Sequence, residues 1–136
     1  MRRKNVWMLR PSLVGTSVTL VFALGFLLQC SAYAGDQVSE AAMKEAKEIW
    51  QTRCSTCHGP NGKGDGPAGM ALNPKPQDLT SDQWQKSVTD EHIEKVIVGG
   101  GQAVGKSPLM AANPDLAGKP EVVRALTKLV RDLKGK

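Results

Sequence analysis

The sequence predicts an all-α fold, and three observations carry that prediction. Three segments space their apolar residues with helical period, no stretch alternates convincingly as a strand, and two irregular stretches of about twenty residues lie between the helices. The first helix is expected to start at Ser39, a good N-cap, with Ala42, Met43, Ala46, Ile49 and Trp50 on one face and Glu40, Lys44, Glu45 and Lys47 between them; it runs directly into Cys54. The second is capped by Thr89, carries Asp90 and Glu91 at the positive end of its dipole, presents Ile93, Val96 and Ile97, and stops at Gly99-Gly100-Gly101. The third opens on Pro120, where a missing N–H is harmless, and lines up Val122, Val123, Leu126, Leu129, Val130 and Leu133 before Gly135. Three or four short helices with two long loops make a poor basis for a self-sufficient core, so a large bound apolar group is expected to organise them.

The N-terminus reads differently. Arg2, Arg3, Lys4 and Arg10 stand without an acid, Leu13 to Leu28 is apolar apart from isolated Ser, Thr and Gly, and Ala32-Tyr33-Ala34 gives the small-x-small pattern of signal-peptidase sites. Residues 1–34 are therefore expected to be a secretory signal and residues 35–136 the mature domain, exported to the periplasm. An uncleaved signal would act as a membrane anchor. Lipid modification at Cys30 is disfavoured by Gln29, because such sites usually carry a small residue there. Arg2-Arg3 resembles the start of a twin-arginine signal, but ordinary charge at the head of a signal accounts for it.

Export also disposes of the charge argument for nucleic acid. The chain has 18 Lys and Arg against 13 Asp and Glu, a formal +5. Four of those bases lie in the signal, which leaves the mature domain near +1. Nucleic-acid binding is excluded on this ground.

Removing the signal also leaves two cysteines, and they stand in Cys54-Ser55-Thr56-Cys57-His58, the C-x-x-C-H pattern of covalent haem attachment. At a helix end, residues three apart share a face, so both thiols can add to haem vinyl groups while the adjacent His reaches iron from the same side. A thioredoxin-like redox pair would need a strand before the motif, where this sequence has a helix. Structural zinc would need four ligands, and beyond these three only His92 remains, which reads as a solvated helix residue. A disulfide between residues three apart would close too small a loop to stabilise much.

Over residues 39–134 the sequence resembles the class I c-type cytochromes of bacteria, monohaem proteins. Ala46, Trp50 and Cys54 at four-residue steps are similar to that family's first helix. Cys57-His58-Gly59, Gly62-Lys63-Gly64-Asp65-Gly66-Pro67-Ala68, Pro74-Lys75-Pro76 and Asp78-Leu79-Thr80 are similar to the loop after its haem motif. Thr89 to Ile97 with Gly99-Gly100 resembles the helix before its second ligand. The resemblance implies a cytochrome c-like fold wrapped around one haem c attached through Cys54 and Cys57, with His58 on iron. It also implies that His58 donates its other ring N–H to the carbonyl of Pro67.

A haem iron held by one His has either a sixth ligand or a vacancy. Met43 lies on the apolar face of the first helix, and Met70 follows His58 by only twelve residues, on the side where that His is expected. Met110 is far enough along to return over the other face, and Gly105-Lys106-Ser107-Pro108-Leu109-Met110 resembles the family's segment bearing the distal methionine. Ala111, where the family commonly has Pro, and Leu129, where it often has an aromatic, depart from the pattern. With His58 and Met110 on iron the expected role is one-electron transfer without substrate chemistry, so not an enzyme, and the partners are redox proteins. The alternative is a haem enzyme subunit or gas sensor with a vacant or displaceable sixth position. Trp84, Gln85 and Lys86 are candidates for contacting the propionates, and Lys63, Lys75, Lys86 and Lys106 for steering an acidic partner.

Overall fold

Ser39 starts the first helix as expected. Its backbone is extended, its Oγ accepts from the Ala42 N–H at 3.2 Å, and helix α1 runs over Glu40–Ile49. The Ser39 N–H itself donates to Glu121 Oε1 at 2.8 Å, which fixes the start of α1 to the last helix. The computed structural model describes residues 37–136, so the signal-sequence, twin-arginine and Cys30 readings fall outside the described residues.

The helix does not continue regularly into the motif. Trp50–Cys54 forms a π-helical turn before helix α2, Ser55–His58, and the Ser55 N–H bonds the Trp50 carbonyl, five residues back. The cause is local competition for carbonyls. Thr52 Oγ1 donates to Glu48 O and Ser55 Oγ to Gln51 O, each at 2.8 Å, so side-chain hydroxyls occupy the i−4 acceptors and the main chain widens by one residue. Across the widened turn Cys54 still packs on the edge of the cluster that holds Ala42, Ala46 and Ile49, and Trp50 packs against the cluster that holds Val130 of the last helix, as the four-residue steps imply.

Helix α3, Asp82–Ser87, follows the first of the irregular stretches and is capped by Ser81. Helix α4, Asp90–Gly99, is capped by Thr89 Oγ1 on the His92 N–H at 3.2 Å and ends at Gly100, whose φ of 71° suits a residue without Cβ. Helix α5, Pro120–Arg131, has Pro120 in its first turn and buries Val122, Val123, Ala125, Leu126, Thr127 and Val130. Short 3₁₀ turns at Gly69–Ala71, Gly101–Val104 and Pro114–Leu116 complete the path, and the described residues contain no strand. None of the described helices is long and apolar enough to cross a membrane.

Helix α1 packs chiefly against α5. Ala46 and Ala125 are wholly buried, and small side chains let two helix backbones approach closely there. Around them lie Ala42, Ile49, Leu116, Val122, Val123 and Leu126; Met43 and Leu129 pack on the edge of this cluster. A second cluster of Leu79, Ile93 and Val130 gathers Trp50, Trp84, Val88 and Leu133, and Ile97 touches both.

Gln85 explains α3. Its Nε2 donates to Leu79 O at 2.7 Å and Val130 O at 2.8 Å, and its Oε1 accepts from Arg131 Nη1 at 2.9 Å. Arg131 also reaches Val88 O and Asp90 Oδ1, at 2.8 and 2.7 Å. All the polar atoms of the buried carboxamide are engaged, so Gln85 belongs to the core rather than to a propionate. Trp84 packs on the second cluster, and Lys86 sits at the surface 3.7 Å from Asp82.

Candidate functional site

The motif lies at the carbonyl end of α2, where four main-chain acceptors have no partner within a helix. The glycine-rich loop supplies all four donors. Gly59 N donates to Ser55 O at 2.8 Å, Ala68 N to Thr56 O at 3.0 Å, Gly66 N to Cys57 O at 3.2 Å and Gly64 N to His58 O at 2.8 Å. So close a return leaves no room for side chains at two points. A Cβ at Gly66 would stand 2.5 Å from Thr56 O, and one at Gly69 would overlap Cys57 O. The loop thus holds the turn bearing Cys57 and His58 by its backbone.

Cys54 and Cys57 form no disulfide, and both are half-buried. Before attachment of a haem, burial pushes the Cys54 thiol up to about 11, with Arg53 pulling it down and Cys57 raising it further. Burial also lowers the His58 pKa, partly countered by the Gln77 main chain, so the imidazole is neutral near pH 7, as a metal ligand must be. Its Nδ1 is buried and without a hydrogen-bond partner. The bond expected to the Pro67 carbonyl is therefore not made: Gly66 and Ala68, on either side, are pinned to the helix-end carbonyls, and Pro67 stays exposed. Trp50 lies against the His58 ring, centroids 6.4 Å apart and planes tilted by 35°, so the second core cluster backs the site.

Two uncrosslinked thiols three residues apart, beside a neutral imidazole with an orphaned buried nitrogen, fit a haem held by two thioethers and a histidine. The described residues include no group of three or more His, Cys, Asp or Glu that could hold a metal ion by themselves. No strand precedes Cys54 in them, so the thioredoxin-like context is absent too.

The sequence matches the Cytochrome c family over residues 43–134. The chain belongs to the cytochrome c family. It is a class I c-type cytochrome, a haem-binding electron-transfer protein, and its haem c is attached covalently through Cys54 and Cys57. Comparison with the curated proteins gives no match.

Of the three methionines considered as iron ligands in this cytochrome, Met43 packs on the first core cluster and Met70 is 61% exposed in the turn pinned beneath Cys57, on the His58 side. Met110 is half-buried in a segment sewn to the end of α4. Gly101 N donates to Met110 O at 3.0 Å, Asn113 N to Val98 O at 2.9 Å, and Asn113 Nδ2 to Ile97 O at 2.8 Å. Gly100 is the contact point, since a Cβ there would stand 2.7 Å from Met110 O and 2.8 Å from Ala112 N. From the sequence the triple glycine reads as a helix stop and, by resemblance, as the end of the helix before the second ligand; its close contact with Met110, and the parts of Asn113, Arg53 and Asp115, are not legible there. Arg53 Nη1, one residue before the first attaching cysteine, meets the Asp115 carboxylate at 2.9 Å.

Proposed function

We propose that this cytochrome is a periplasmic one-electron carrier whose haem iron is ligated by His58 and Met110, and that it performs no substrate chemistry. The observation that carries the reading is the anchoring of Met110: of the three methionines, it alone is a half-buried residue of an irregular segment fixed by main-chain bonds on either side and away from the His58 loop. Held by Cys54, Cys57, His58 and Met110, haem c would supply a one-electron couple, with a higher potential than two imidazole ligands would give it. The polypeptide's part is to hold a neutral His58 by the capped end of α2, to bury the iron environment against Trp50, and to keep Met110 in place of solvent or oxygen. Export rests on the signal pattern of residues 1–34.

The test is an optical comparison of wild type and Met110→Ala, expressed with a haem-attachment system. Wild type should show a methionine charge-transfer band near ~695 nm when oxidised and should not bind carbon monoxide when reduced. Met110→Ala should lose the band, gain carbon monoxide binding and fall in reduction potential. Absence of the band in wild type would instead favour a haem enzyme subunit or gas sensor.

The partners are redox proteins, docking beside exposed Lys63, Lys75, Lys86 and Lys106. Rates of electron exchange with an acidic partner should fall as ionic strength rises, since exposed charges are screened beyond about 10 Å at 0.1 M salt. A rate independent of salt would remove the steering role.

A further inference from the structure

Arg53 is the penultimate residue of the π turn, next to Cys54, and its side chain reaches out of its own helix. Its Nη1 donates to Asp115 Oδ2 at 2.9 Å and Oδ1 at 3.0 Å, and lies 3.4 Å from Asn113 Oδ1. Asn113 and Asp115 follow Met110 by three and five residues. No other ion pair among the described residues joins the cysteine-bearing turn to the segment after Met110. Neither Arg53 nor Asp115 belongs to a core cluster.

We infer that Arg53 and Asp115 form a strap that keeps Met110 on the iron, which makes them positioning residues for the sixth ligand. The inference rests on the His58/Met110 reading. A haem c attached at Cys54 and held by Met110 would link the two segments through the cofactor, and Arg53–Asp115 links them a second time through protein alone. Upstream of Met110 the segment is held at Gly101, and downstream at Asn113 by α4 and at Asp115 by Arg53. For methionine to leave the iron and admit another ligand, this stretch must swing outward. A second tether limits the open arrangements it can reach and so favours rebinding. The bond from Arg53 is the first cause holding the Asp115 carboxyl below the usual range. The side chains are 45% and 51% exposed, which limits the effect to that of a surface ion pair.

The measurement is the affinity of oxidised holoprotein for imidazole, which competes with methionine for iron, read from loss of the methionine charge-transfer band. Arg53→Gln and Asp115→Asn should each bind imidazole about two- to five-fold more tightly than wild type. The double variant should exceed neither single by much, and the reversed pair Arg53→Asp/Asp115→Arg should return toward wild type. The urea midpoint followed by far-UV dichroism should barely move, which separates a strap from a general loss of stability. A wild-type band with unchanged imidazole affinity in both single variants, or effects that simply add in the double, overturns the strap. Asp115→Asn keeps the test decisive if Arg53→Gln impairs haem attachment, because Asp115 lies outside the motif. A wild type without the band overturns the Met110 reading itself, and the two failures are thereby told apart.

Discussion

Gly69→Ala is expected to destabilise the holoprotein by about 2–3 kcal/mol, the upper part of the range for forcing one methyl into a packed site. The φ of Gly69 is not positive, so the cost is one of space rather than of backbone conformation. The new Cβ would overlap Cys57 O and stand 2.9 Å from both the Cys57 carbonyl carbon and Pro76 Cγ. Two of these three atoms are main chain of the helix that carries the haem, so no rotamer change relieves the overlap. Either the turn Gly69–Ala71 moves away, lengthening Gly66 N to Cys57 O and Ala68 N to Thr56 O, or α2 moves and takes His58 with it. Loss of a helix-end hydrogen bond adds to the steric cost. Urea denaturation followed at the Soret band measures the loss, and Gly118→Ala provides the control because a Cβ there meets nothing within 4 Å. If the two variants agree within about 0.5 kcal/mol, the loop does not hold the histidine turn as described here.

Local rules were enough wherever the chemistry was local. Ser39, Thr89 and Pro120 stand at the helix starts where side-chain oxygens or a missing N–H belong, and the α5 stripe buries as its spacing requires. The five residues from Cys54 to His58 announce haem because thiol spacing and the adjacent imidazole are set by one helical turn. What the sequence hid depends on partners far along the chain. Nothing near Gln85 says that its amide will bond Val130 O, forty-five residues away, so from the sequence it stood as a candidate for a propionate. Arg53 finds Asp115 across sixty-two residues. The π turn is a different case, since Thr52 and Ser55 were visible and hydroxyls at that spacing can take i−4 carbonyls. Pro67 was assigned by resemblance, and the bonds of its neighbours Gly66 and Ala68 hold it at the surface.

Leu126→Ala should cost about 3–4 kcal/mol, within the usual range for truncating a buried leucine, and lower the melting temperature by roughly 10–20 °C for a domain of this size. Leu126 is 2% exposed, and with Leu116 it is one of the two largest fully buried side chains among the described residues. Its cluster joins α1, α5 and the Pro114–Leu116 turn, so the void would open where the helix leading to Cys54 meets the helix that backs it. Ala46 and Ala125 are already in contact-limited positions with no exposed surface, which restricts how far α1 and α5 can close over a lost isobutyl group. The second cluster shares Ile97 and α5 with the first, and Trp50 from that cluster lies against His58. Packing and haem site are therefore one cooperative unit, and thermal unfolding followed at the Soret band and by far-UV dichroism should shift together. Transitions that separate in Leu126→Ala, with the Soret change left at the wild-type temperature, would show instead that the haem pocket holds independently of the α1–α5 contact.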